Sequence, residues 1–276
     1  MHQSLLIYSK FRYFKFSVLL IVSAIIAYAI VDPVDGHNGG TWLGYTLGGV
    51  SAFLILLLMW FGIRKRSYKS SVGKVEGWLS AHVYLGLSLI ILATLHAGFE
   101  ISWNLHTLAY FLMLIVILSG IFGVYAYLRY PHLMTENRRG RTMGGMLTEM
   151  AELDRECRET ASQLSDEINR AILDCIENTR IGGSVWRQLA GKDPKCATLD
   201  AYTRVKKYSD ELSLEHSDEE RRLLTLLSNK LELVQRARRD VQFKAMMDIW
   251  LYFHVPLSFA LLAALIAHVV AVFFYW

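Results

Sequence analysis

Four histidines stand at the ends of otherwise apolar stretches of this 276-residue chain. His82 and His96 bracket one stretch, His254 and His268 bracket another, and fourteen positions separate the members of each pair. Imidazole is the commonest side-chain ligand for metals and also carries protons near neutral pH. Ionisable residues are costly in apolar surroundings and are usually functional there. The spacing of these histidines is therefore the first feature to explain.

A helix would place both histidines of a pair on one face. Fourteen steps of about 100° return to within roughly 40° of the starting direction, and they cover about 21 Å of helix axis. That length suits a hydrocarbon layer about 30 Å thick, with one imidazole near each edge. Each pair is thus predicted to present two imidazoles in one direction at two depths.

The elements that hold these histidines are predicted to cross a membrane. Charged residues make up only 20% of the chain, and mean hydropathy is +0.29, whereas soluble domains usually have about a quarter charged residues. The first apolar run follows a basic segment, as in a signal peptide, but its length and poor cleavage site favour a retained span. We expect an all-α integral membrane bundle with five spans, at residues 13–31, 42–63, 78–99, 107–128 and 250–274.

Loop charges predict the orientation of these spans. Lys and Arg fill the connection at 64–74 and follow the fourth span at 129–141, whereas the connections at 32–41 and 100–106 contain acids and no Lys or Arg. By the positive-inside rule the N-terminus is cytoplasmic and Trp276 lies on the opposite side, as in a bacterial-type inner membrane. The net charge of +4 is explained by this pattern and does not indicate nucleic-acid binding.

Under this topology the third and fifth spans run in the same direction. His82 is then level with His254 near the inner edge of the membrane. His96 is likewise level with His268 near the outer edge. Packed side by side, the two spans would form two facing pairs of imidazoles.

The distribution of charged residues also divides the chain into three predicted parts. Spans one to four occupy residues 1–130, a cytoplasmic helical insert occupies 131–248, and the fifth span occupies 249–276. The insert contains cysteines that match no metal-binding or redox spacing, which favours reduced thiols without a special role. They are Cys157, Cys175 and Cys196.

The insert itself is predicted to be helical. Helices are expected at 147–179 and 198–214, and a third begins at a capping box formed by Ser217 and Glu220. In that third helix, apolar residues recur at helical spacing over 223–234, and no breaker precedes the fifth span. Long helices with polar outer faces favour an antiparallel hairpin.

Two facing imidazoles at one depth are the protein ligands that a six-coordinate haem iron requires. His82 with His254 and His96 with His268 are therefore the predicted ligand pairs. A single intramembrane histidine is equally compatible with a hydrogen bond between helices. Zinc or copper is disfavoured because no carboxylate or thiol converges at these depths. The remaining histidines receive no ligand role, and His106 is the strongest exception among them.

At these four histidines the sequence resembles the membrane di-haem cytochrome b group, which includes the ferric-reductase and NADPH-oxidase transmembrane domains and the respiratory cytochromes b. In that group, two helices each carry two histidines at a similar spacing. The resemblance implies two b-type haems and electron transfer across the bilayer. It covers the membrane part alone, because the insert and the absence of nucleotide- or flavin-binding motifs depart from the oxidoreductase members.

The resemblance implies an electron-transfer subunit of a larger respiratory oxidoreductase complex, with redox protein partners on one or both sides, rather than a complete enzyme. Two alternatives stay open at this point. One is a cytochrome b subunit that reacts with quinol or quinone, with a quinone bound beside one haem. The other, from a different class, is a non-redox membrane scaffold whose insert is a coiled-coil interaction arm.

Overall fold

The computed structural model describes residues 7–34, 36–66, 74–193, 195–212 and 218–274. Across these residues the chain is all-helical, as the sequence predicted. The helices are α1 Tyr8–Ile30, α2 Trp42–Arg66, α3 Val75–His96, α4 Leu105–Arg138, α5 Met143–Ala161, α6 Asp166–Asn178, α7 Val185–Ala190, α8 Ala197–Leu212 and α9 Asp218–Phe274.

The chain divides into two compact units. One comprises Met1–Val124 with Trp250–Trp276, and we call it the apolar unit. The other, Tyr125–Ile249, is called the polar unit. Helices α4 and α9 each contribute residues to both units, so the division does not coincide with helix ends.

Five helices of the described chain have the length and apolar composition to cross a membrane. These are α1, α2, α3, α4 and α9, in the order of the five predicted spans. Large apolar side chains on their outer surfaces, such as Leu19, Phe53 and Leu118, are more than half exposed. Such broad apolar exposure suits lipid rather than water. The protein therefore has the helices of a multi-pass membrane protein.

Helix α3 packs closely against α1 and α2 within the apolar unit. Its Leu85, Leu89 and Leu92 are buried in a cluster that also contains Leu47 of α2 and Leu261 of α9. The hydroxyl of Ser17 on α1 also donates a hydrogen bond to the Tyr84 carbonyl of α3, at 2.9 Å. Packing and this bond fix α3, the helix that carries the first histidine pair.

Helices α4 and α9 are in contact where the indole ring of Trp250 packs against Gly123. The Nε1–H of Trp250 donates to the Ser119 carbonyl at 2.7 Å. A Cβ added to Gly123 would lie 2.0 Å from Cζ2 of Trp250. Only a residue without a side chain therefore lets Trp250 lie against α4, one turn before His254.

Within the polar unit, α5, α6, α8 and the first part of α9 share one core. Cys157, Ile172, Val205 and Leu227 are all buried there. The apolar residues predicted on one face of α9 are largely buried, with Leu223 and Val234 fully enclosed. The third predicted helix is thus confirmed, although Ser217 of its capping box lies outside the described residues.

Two predictions about this region were wrong. The helix expected over 147–179 is divided into α5 and α6, because Ser165 begins a new helix and its hydroxyl accepts from the Ile168 N–H. The expected two-helix hairpin is replaced by a core built from four helices. Acidic residues in the first turn of α6, Asp166 and Glu167, favour the new helix start by complementing its dipole.

Charged side chains of α9 that are buried in the polar unit are paired. Asp240 accepts from Nε of Arg138 at 2.7 Å. Arg238 donates to the Arg180 carbonyl and to Asp193. Lys230 forms an ion pair with Asp154. These partners come from helices and loops far away in sequence, which explains why periodicity alone did not indicate them.

Replacing Gly123 with alanine is expected to destabilise the apolar unit. The new methyl group would overlap Trp250, and overpacking of this kind costs about 1–3 kcal/mol. We expect a lower thermal unfolding midpoint for the detergent-solubilised protein. Gly49→Ala is the matched control, because an added Cβ there meets nothing within 4 Å. Equal midpoints for the two variants would contradict the packing of Trp250 on α4.

Candidate functional site

The four histidines come together as two facing pairs between α3 and α9. The ring centroids of His82 and His254 are 6.5 Å apart, with an angle of 64° between the ring planes. Those of His96 and His268 are 6.1 Å apart at 84°. All four side chains are partly buried. The pairs are the ones that the sequence predicted to be level with each other.

These separations are compatible with one metal ion between the rings of each pair. Metal–imidazole bonds of about 2 Å place the two ring centroids roughly 6 Å apart when the metal lies between them. The ring-to-ring distances are therefore the geometric basis for a metal site between α3 and α9.

His96 is fixed by a carbonyl of α2. Its Nδ1 lies 2.7 Å from the Gly44 carbonyl oxygen. A carbonyl only accepts, so Nδ1 carries the proton and donates it. That tautomer leaves the Nε2 lone pair available to a metal, the arrangement in which an outer hydrogen bond orients a ligating histidine.

His254 is fixed by a hydroxyl of α4. Its Nδ1 lies 2.7 Å from Oγ of Ser119, and that hydroxyl also lies 2.8 Å from the Val116 carbonyl. The hydroxyl donates its hydrogen to Val116 and so accepts from Nδ1 of His254. Nε2 of His254 is again left with its lone pair.

The other ring of each pair is held differently. Nδ1 of His268 is buried and makes no hydrogen bond to any described residue. Nδ1 of His82 has no partner at normal hydrogen-bond geometry, but the ring interacts with the Leu58 backbone of α2. Buried polar atoms are normally satisfied, so His268 is the ring that retains an unused nitrogen.

A glycine of α2 makes room for the His96 ring. A Cβ at Gly48 would lie 2.6 Å from Cε1 and 2.8 Å from Nδ1 of this ring. The next residue, Gly49, faces open space. The glycines of this span therefore have different roles, and Gly48 serves the imidazole rather than helix-to-helix packing.

His106 lies against the pair formed by His96 and His268. Its ring centroid is 4.3 Å from that of His268, at 82° between the planes. His106 was not predicted to be a ligand, although its position just before the fourth predicted span put it at the same edge as His96. Histidines at equivalent ends of different spans are the signal that would have indicated it.

Comparisons with known proteins add no assignment to this geometry. No protein-family model, curated protein or solved structure matches the chain. Among the described residues, no group of three or more His, Cys, Asp or Glu side chains is arranged to hold a metal ion. The candidate ligands in this part of the chain are therefore the two facing histidine pairs.

Replacing Ser119 with alanine is expected to destabilise the apolar unit by about 1–3 kcal/mol, because Nδ1 of His254 would be left buried without an acceptor. The measurement is the thermal unfolding midpoint in detergent. Ser258→Ala is the matched control, because Ser258 donates to the His254 carbonyl and not to its ring, at 2.7 Å. A control variant that loses as much stability as Ser119→Ala would contradict the assigned hydrogen bond.

Proposed function

We propose that the protein is a di-haem b-type cytochrome that carries electrons across the membrane as the electron-transfer subunit of a larger redox complex. The most direct support is that histidines of α3 and α9 face each other twice. The ring centroids are 6.5 Å apart for His82 and His254, and 6.1 Å apart for His96 and His268. When bound, each haem supplies an iron that exchanges one electron at a time.

The chain's own residues hold and orient the two groups. His82 with His254 holds the inner haem, and His96 with His268 holds the outer one. The Gly44 carbonyl and the Ser119 hydroxyl fix the tautomers of two of these rings, one in each pair. One ring of each pair is therefore held in the tautomer whose Nε2 lone pair would be free to bind iron.

Apolar packing supports this function by keeping water away from the ligands. Leu85, Leu89 and Leu92 lie between the two histidines of α3 and are buried, together with Leu261 of α9. The apolar shell around a metal site controls solvent access and therefore its redox potential. Two haems held by the two histidine pairs would be separated by this apolar layer.

We place the N-terminus and residues 131–248 in the cytoplasm and Trp276 on the opposite side of a bacterial-type inner membrane. The support is the excess of Lys and Arg after α2 and α4. Redox proteins on one or both sides supply and accept the electrons. The polar unit, with its own helical core, offers the surface for a cytoplasmic partner.

The decisive variant removes the outer pair by His96→Ala with His268→Ala. Pyridine haemochrome quantification is expected to fall from about two b haems per chain to about one, because one ligand pair remains. The reduced-minus-oxidised spectrum of the variant should keep a single b-type component. His132→Ala is the control, because this side chain is exposed and pairs with Glu136.

A colourless wild type would contradict the cytochrome function and favour the non-redox scaffold. Retention of both haems in the double variant would contradict the ligand assignment alone. A quinone that copurifies with the di-haem protein would extend the function to quinol or quinone chemistry. These outcomes separate the class of protein from the details of its site.

A second prediction uses two neighbouring glycines of α2. Gly48→Ala should displace the His96 ring, since the added Cβ would lie within 2.6 Å of it. We expect about half of the bound haem to be lost, from the outer position. Gly49→Ala should retain both haems. The prediction fails if the two variants bind equal amounts in the same haemochrome assay.

A further inference from the structure

The polar unit encloses a lysine that the electron-transfer function does not use. The Lys230 side chain of α9 is 1% exposed, the Asp154 side chain of α5 pairs with it, and that carboxylate keeps 24% exposure. Nζ of Lys230 also donates to Sγ of Cys175 on α6 at 3.3 Å. A buried ammonium is costly unless its partners satisfy it, so this cluster has a defined geometry.

Two free thiols lie in the same cluster, but they differ in their relation to the lysine. Cys157 and Cys175 are both buried. Burial raises the pKa of Cys157 to about 12, although Lys230 opposes that shift. Cys157 therefore stays a protonated and unreactive thiol. Cys175 instead receives the hydrogen bond from Nζ, with Oγ1 of Thr179 as a more distant neighbour at 3.8 Å.

We propose that Lys230 and Cys175 form a covalent modification site, in which dioxygen joins Nζ and Sγ through one bridging oxygen atom. The two atoms are already in non-bonded contact at 3.3 Å, and a single oxygen between them requires only a small side-chain movement. This inference concerns the polar unit and does not depend on haem binding.

The reaction balances with dioxygen as the only oxidant. The amine of Lys230, the thiol of Cys175 and one O₂ give an N–O–S linkage and one water. One N–H bond and the S–H bond are replaced by N–O and O–S bonds, and the two hydrogens leave in the water. Nitrogen and sulfur lose two electrons each, which reduces both oxygen atoms. Asp154 is placed to take the proton that the ammonium must first release.

The Asp154 side chain, which pairs with Lys230, is 24% exposed, so the cluster lies close to solvent. Cys157 lacks the hydrogen bond from Nζ that positions the sulfur of Cys175. The bridge would join α6 to α9 within one core. Since thiol reductants return a linkage at this oxidation level to amine, thiol and water, the site is expected to be reversible.

The test is mass spectrometry of the full-length protein in detergent, incubated with dioxygen or anaerobically with dithiothreitol, and then digested. We expect a linked species that contains Cys175 and Lys230, heavier by about 14 Da because one oxygen is gained and two hydrogens are lost. Oxygen-18 gas should add about 2 Da more. Dithiothreitol should abolish the species.

Variants test the assignment to this pair. Cys157→Ser is the matched control and should retain the linkage, whereas Cys175→Ser and Lys230→Arg should abolish it. The wild-type isotope experiment stays decisive even if a variant fails to fold. The proposal is overturned if oxidised wild type shows no linked species, a Cys157–Cys175 disulfide, oxidised cysteine alone or a linkage without oxygen.

Discussion

Burying an imidazole nitrogen without a hydrogen-bond partner costs free energy, and this cost governs how two of the four rings of the site are held. Nδ1 of His96 and Nδ1 of His254 obtain their partners from α2 and α4, helices that carry no member of the facing pairs. Helices α3 and α9 supply the rings, and their neighbours decide how those rings are turned. The requirement to satisfy two nitrogens thus connects four of the five apolar helices.

The glycines and hydroxyls near the histidines follow from the same constraint. Gly48 allows the His96 ring to reach the Gly44 carbonyl, and Gly123 allows Trp250 to hold the Ser119 backbone next to the hydroxyl that His254 uses. Each small residue removes a steric obstacle to one polar contact. Helix packing alone would give all these glycines the same role. Their neighbours differ, because Gly48 faces the His96 ring, Gly123 faces the Trp250 ring, and Gly49 faces open space.

The sequence predicted what depends on periodicity and missed what depends on tertiary contact. The length of the apolar runs predicted the five long helices, and the fourteen-residue spacing of the histidines predicted the two facing pairs. The break at Ser165 was missed because an apolar pattern runs through it, although the serine and the two acids after it are local signals of a helix start. His106 contacts His268, and Lys230 is buried. Both features depend on segments that are distant in sequence, so a local pattern does not predict them.

The hydrogen bonds divide the four rings unevenly, with one ring of each pair bonded through Nδ1 to a neighbouring helix. On α3 this ring is His96, and on α9 it is His254. Each of these two helices therefore carries one ring whose tautomer a neighbouring helix sets, and the two set rings belong to different pairs. Removing a single acceptor, on α2 or on α4, would consequently disturb one pair and leave the other intact.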